Sequence, residues 1–120
     1  YLMKYFFKKR PRIFSPAKGN KILDLGEIWL NNYEQVTIKN KNNKNDIVKM
    51  PWGYYVTNSL NDTLLKNGYK TALVVSNLGK KTKFFINLVE KGKINIFKKY
   101  LKKNNAKIAV WLNNWKTPKK

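Results

Sequence analysis

The clearest apolar run in the chain is TALVVSN (71–77), where Ala72, Leu73, Val74 and Val75 stand together between a threonine and a serine. Four contiguous apolar residues, ended by a Leu-Gly turn, predict a buried strand. TKFFINLVE (82–90) is apolar again, and the turn-like NLGKK (77–81) joins the two, so they are expected to pair as a hairpin. Upstream, YEQVTIK (33–39) alternates Tyr33, Gln35 and Thr37 against Glu34, Val36 and Ile38, which predicts a further strand. KILDLGEIWL (21–30) has no clear period and reads as extended chain with a bend at Gly26. NKNNKND (40–46) reads as an exposed loop. In IVKMPWGYYVT (47–57), Pro51 and Gly53 predict a turn leading into a strand at YYVT. NDTLLKNGY (61–69) carries a helix start at Asn61 or Asp62 and a stop at Gly68.

The last quarter is ambiguous. Ile94, Phe97, Leu101, Ile108, Leu112 and Trp115 recur at helical spacings. They fit one helix, two helices broken at Asn104 and Asn105, or a helix followed by a strand over AKIAVWL (106–112). At the other end, YFFKKRPRIFSPAKGNK (5–21) has no period that would join its aromatics to a core. The expected architecture is a small single-domain α+β fold with a short sheet or hairpin, a C-terminal amphipathic helix and an extended basic N-terminal arm. Its expected boundaries are an arm over 1–20, a domain over 21–115 and a basic tail over 116–120. No internal repeat is evident.

Charge changes this picture most. The 120 residues carry 26 Lys and Arg against six acids, a net +20. Residues 1–19 have six cations and no acid, residues 20–76 have seven lysines against five acids, and residues 77–120 have thirteen lysines against Glu90 alone. Such a density destabilises a compact chain by self-repulsion unless a polyanion accompanies it. Nucleic acid is the first expectation and an anionic membrane the second. The seventeen aromatic residues argue for a folded centre in place of a disordered chain.

Other chemistry is sparse. The chain has no cysteine and no histidine, which removes disulfides, thiolate sites and the commonest metal ligand and general base. The carboxylates are Asp24, Glu27, Glu34, Asp46, Asp62 and Glu90. Asp24 and Glu27, three apart, could act as a pair, but in a chain this basic internal salt bridging explains them better. Gly19-Asn20-Lys21 and Gly79-Lys80-Lys81 lack the remaining residues of a phosphate-binding loop. No catalytic constellation, cofactor site, metal site or small-molecule substrate is expected. The longest apolar runs, such as ALVV (72–75) and IAVWL (108–112), are far too short to span a membrane.

Three basic features carry the binding expectation. The arm KKRPR supplies Lys8, Lys9, Arg10 and Arg12, with Lys18 and Lys21 following. Arginine can bridge a phosphate bidentately or stack on a base, and Pro11 stiffens the backbone. The predicted hairpin loop supplies Lys80, Lys81 and Lys83, and the run KGKINIFKKYLKK (91–103) supplies Lys91, Lys93, Lys98, Lys99, Lys102 and Lys103. Each alone is also what a soluble surface looks like; their concentration, with so few acids between them, makes the case.

The segment TKFFINLVEKGK (82–93), with Phe85, Ile86, Asn87, Gly92 and Lys93, resembles a phrase of the bacterial-type small-subunit ribosomal protein seven family. The stretch from TALVVSN to AVWL resembles small α/β anti-sigma-antagonist-like domains, without their acidic helix pattern. More broadly, the short length, basic ends and extended arm are similar to organellar ribosomal proteins. In that class, arms of Arg, Lys and Pro thread into ribosomal RNA, and such a resemblance implies ribosomal RNA and neighbouring ribosomal proteins as partners. Twenty-four lysines, only two arginines and seventeen asparagines suit A/T-rich codons, hence a mitochondrial genome or that of an AT-rich bacterium. The basic start is compatible with a transit peptide, although Pro11 and Pro16 would interrupt its helix. The expected function is therefore that of a structural constituent of a ribosome, acting in the mitochondrial matrix or otherwise in a bacterial cytoplasm. The alternatives are a non-catalytic accessory subunit of another organellar, membrane-associated complex and a basic DNA-binding protein.

Overall fold

In a computed structural model describing residues 4–17, 20–77, 79 and 81–116, strands dominate the chain. The α+β expectation is overturned: the described residues form eight strands in three small sheets, with only short helices among them. The chain groups into two compact units. One takes in Tyr1–Val36 and Asp46–Val56, the other Thr37–Asn45 and Thr57–Lys120.

In the first unit the basic arm is itself a strand. β1 (Lys4–Ala17) pairs antiparallel with β2 (Asn20–Trp29) as a two-stranded ribbon. Aromatic and β-branched residues favour extended backbone in both. The register runs from Lys4↔Trp29 to Phe7↔Gly26 and resumes at Arg12↔Asp24. Four residues, Lys8, Lys9, Arg10 and Pro11, therefore stand opposite Leu25 alone. This wide bulge accommodates Pro11, which has no N–H to give to a ladder. Gly26 makes the pairing possible: its φ is +137°, and a Cβ there would lie 1.8 Å from the Phe6 carbonyl oxygen. The bend anticipated at this glycine is a close approach of two backbones.

A second sheet has the order β3 (Gln35–Asn40), β4 (Asn43–Met50), β5 (Gly53–Tyr55). The division between the two units runs through β3 and β4. Lys41 takes a left-handed φ of 50° in the turn between β3 and β4. The loop expected over 40–46 is thus shorter, because Asn43–Asp46 already belong to β4. At the open end, the Tyr33 N–H donates to the Lys49 carbonyl at 2.7 Å and the Lys49 N–H to the Glu34 carbonyl at 3.0 Å.

The second unit is built around β6 (Tyr69–Ser76), flanked by β7 (Lys83–Glu90) and β8 (Ala106–Trp111). Ala72 and Val74 of β6 are buried with Leu101 of α2 (Ile94–Lys103), and Phe97, Ala106, Ile108 and Trp111 pack around them. Leu64 of the short helix α1 (Thr63–Lys66) and Thr71 of β6 are fully buried. The Thr71 N–H donates to Asn113 Oδ1 at 3.1 Å, which anchors the turn after β8.

The expected C-terminal helix is shorter than its stripe. α2 stops at Lys103, where the Asn104 amide donates to the Tyr100 carbonyl at 2.9 Å and Asn105 turns left-handed at φ 50°. Asparagine tolerates that conformation, and its side chain satisfies an orphan carbonyl of the last turn. Ile108 then joins the core from a strand, because β6 has a second edge whose backbone groups need a partner and β8 supplies it.

We expect Gly26→Ala to separate β1 from β2, read as loss of amide protection along the two strands by hydrogen exchange, with the second unit unchanged. Leu101→Ala should lower the stability of the second unit by about 2–5 kcal/mol in denaturant titration, since it hollows the packing of the helix on the sheet in that core.

Candidate nucleic-acid interface

The bulge in β1 sorts the four cations of KKRPR (8–12) into two kinds. Lys8 Nζ lies 2.9 Å from Asp24 Oδ2, and Arg12 Nε lies 3.5 Å from the same oxygen. The Gly26 N–H donates to the other oxygen, Oδ1, at 3.1 Å. One carboxylate on β2 thus ties down both ends of the bulge. Lys9 and Arg10, between those ends, make no ion pair among the described residues, and both are exposed. The arm contains no acid, but its strand partner answers two of its cations; sequence distance hid a pair sixteen residues apart.

The Lys8 hydrogen bond, then the Gly26 N–H, hold the Asp24 carboxyl below its ordinary value; slight desolvation opposes them, and the Lys8 and Arg12 charges add to the lowering. The site is solvent-exposed, so these contacts order the ribbon more than they stabilise it.

Aromatic side chains flank the bulge on both faces of the ribbon. Tyr5 and Phe7, two apart on β1, lie with their rings tilted by 34° at 5.0 Å between centroids. On the opposite face Phe6 meets Trp29 edge-on at 6.0 Å, with Lys4 Nζ 6.0 Å from the Trp29 ring. The Arg12 guanidinium lies 4.6 Å from the centre of Phe14. Phe7 is 65% exposed and Trp29 56%, and Tyr5, Phe6, Ile13, Leu23 and Leu25 are also exposed. Few soluble surfaces leave so much apolar area bare without using it.

The other predicted cations divide as follows. Lys21 is exposed on β2; Lys81 and Lys83 lie at the start of β7; Lys91 and Lys93 occupy a single 3-10 turn, Lys91–Lys93, that leads into α2. Lys18 and Lys80 fall outside the described residues. On α2 all four of Lys98, Lys99, Lys102 and Lys103 are exposed. Lys98 and Lys102, one turn apart, border a shallow depression of about 310 Å³ with Leu101, Ala106 and Ile108, and Lys107 of β8 completes its rim. Lys107 was not among the sequence candidates. Its signal was present in AKIAVWL read as a strand, which carries Lys107 alongside β6 opposite Val75.

The carboxylates have structural partners. Glu27 accepts from Trp29 Nε1 at 3.3 Å, Glu34 from the Asn31 N–H at 2.6 Å, and Glu90 from the Asn43 side chain at 2.6 Å. Asp62 pairs with Lys66 at 2.8 Å, and Asp46 is also engaged. No group of three potential metal ligands occurs among the described residues. Among them, too, no helix is long and apolar enough to cross a membrane.

Because the Asp24 pKa is depressed in the folded ribbon, its contribution is present above the ordinary carboxylate value and is lost as pH falls through the folded one. We expect the Gly26 amide resonance to be constant from neutral pH down to about pH 5 and to shift on further acidification. Asp24→Asn should abolish that acid limb. A Gly26 titration unchanged in the variant would show that another group controls the ribbon. Compared with family models, with curated proteins and with solved structures, the chain matches none.

Proposed function

We propose that this chain is a non-catalytic RNA-binding constituent of a ribosome, lodged in ribosomal RNA by the β1–β2 ribbon. One observation carries this reading: the ribbon is aromatic and exposed on both faces, while Lys9 and Arg10 at its bulge have no acid beside them among the described residues. A membrane surface takes up one apolar face of an amphipathic element and leaves the other in water. A flat protein surface also covers only one face. A ribbon bare on both sides suits surroundings that enclose it and that supply phosphates as well as apolar surface. Folded RNA offers both, since its loops present phosphates for cations and unstacked bases for aromatic rings and guanidinium planes.

Lysine is a point charge and carries little sequence information, so recognition would follow the shape of the RNA. Lys98, Lys102 and Lys107 would add phosphate contacts from the second unit, and neighbouring ribosomal proteins would complete the surroundings. The A/T-rich codon bias favours a mitochondrial ribosome in the matrix, or otherwise that of an AT-rich bacterium. A DNA-binding reading has one observation in its favour, because a two-stranded ribbon also fits the major groove of B-form DNA.

The test is binding of the full chain to a structured ribosomal RNA fragment, to a DNA duplex and to anionic vesicles over a range of salt. Preference for the RNA with a steep salt slope is expected. Replacing Lys9 and Arg10 by alanine should flatten the slope by about 0.7–0.9 for each phosphate that is no longer neutralised. Equal binding to DNA, tighter binding to vesicles, or an RNA slope unmoved by that double replacement would each sink the proposal.

A further inference from the structure

Among the described residues, the sheet of the second unit has an edge that no further strand pairs with. β7 pairs with β6 in an unbroken register from Ser76↔Lys83 to Tyr69↔Glu90, and it forms one edge of the sheet. Soluble proteins usually blunt such an edge with a proline, a bulge or a charge in mid-strand. From Phe84 to Val89, β7 has none of these. Its first half is bare in every direction: Phe84 and Ile86 lie on one face of the sheet and Phe85 on the other, and all three are exposed. The cover is confined to the far half of β7, where Val89 is buried, and it does not reach Phe84, Phe85 or Ile86.

The chemistry around the strand selects its occupant. Lys81 and Lys83 stand at one end of β7, and Lys91 and Lys93 follow the other. Glu90 is the single acid in residues 77–120, and it accepts a hydrogen bond from the Asn43 side chain. Any antiparallel pairing with a second copy would bring the Lys81–Lys83 end of one chain beside the Lys91–Lys93 end of the other, between molecules that each carry +20. Like charges this close are within a screening length, so self-pairing is opposed. A polyphosphate would meet the charge but not the edge, because phosphate oxygens accept and cannot donate to the strand's carbonyls. An extended polypeptide satisfies donors and acceptors alike.

We propose that the β7 edge receives an extended segment of another protein, apolar in the middle and acidic at both ends, which adds a fourth strand beside β7. The main-chain ladder would supply affinity, and the apolar side chains would cover Phe84, Phe85 and Ile86. The flanking lysines would select acidic ends and reject basic ones. This site is independent of RNA binding by the ribbon, so either can fail alone.

The probe is a fluorescent peptide of the form Asp-Asp-Val-Thr-Val-Thr-Val-Asp-Asp, titrated against the full chain and followed by anisotropy. Its Lys-ended counterpart should bind at least about tenfold more weakly. Methylating alternate backbone nitrogens along one edge of the peptide should abolish binding, while methylation along the other edge should not, a result that side-chain or charge attraction alone would not produce. Hydrogen exchange at Phe84 and Ile86, whose N–H groups face away from β6, should slow when the peptide is bound, while that at Phe85 should not change. Ile86→Lys, at a position already exposed, should weaken binding without unfolding the sheet. The proposal is overturned if both methylated peptides bind like the parent, if sedimentation shows that the chain pairs with itself through β7, or if an RNA fragment displaces the peptide and protects the same amides.

Discussion

Self-repulsion among twenty excess positive charges limits everything else this chain can do. Apolar burial has to outweigh it somewhere, and that happens around β6, where Ala72 and Val74 are sealed by Leu101 and where Thr71 and Leu64 are fully enclosed. Lysines are kept to the outside of that cluster: on α2 they occupy the exposed positions around the buried Leu101. The few acids act locally, each on near neighbours, and none is left to neutralise a basic surface as a whole.

The two units answer the constraint differently. Around β6, a helix and two flanking strands bury side chains in the ordinary way. In the β1–β2 ribbon the backbone ladder does most of the holding, assisted by Asp24 and by the close approach at Gly26. A two-stranded ribbon of this kind is marginal in water by itself. Its aromatic pairs, Tyr5 with Phe7 and Phe6 with Trp29, stay exposed, and Lys9 and Arg10 beyond them make no ion pair among the described residues. The β7 edge poses the same problem on a smaller scale, with lysines again at the margin of bare apolar residues.

Several elements were legible one residue at a time. TALVVSN reads as a buried strand because its apolar residues are contiguous, and the structure seals one face more fully: Ala72 and Val74 are buried, while Leu73 and Val75 on the other face are half-buried. Gly68 ends α1 with a φ of +96°, as a helix stop should. The arm was harder, since its pairing depends on a bulge: a period of two is broken where Lys8–Pro11 stand opposite Leu25 alone, and the partner strand KILDLGEIWL has no clean period either. The candidate cations were nearly all visible as residues. How they divide was not, because Lys8 and Arg12 are held by an acid on another strand while Lys9 and Arg10 are not.

The sequence by itself determined the chemistry available: a strongly cationic chain without cysteine or histidine, apolar segments long enough for strands, and cations gathered at its two ends. Tertiary structure alone decided how those parts are used. Ile108 could continue a helical stripe or enter a sheet with equal local sense, and the unpaired edge of β6 settled it in favour of the sheet. Arm and ribbon differ in the same way. Extended backbone is a local property of YFFKKRPRIFSPAKGNK, whereas its pairing with β2 rests on a glycine and an aspartate that local preference does not weigh, because long-range backbone contacts outweigh the small differences between local conformations.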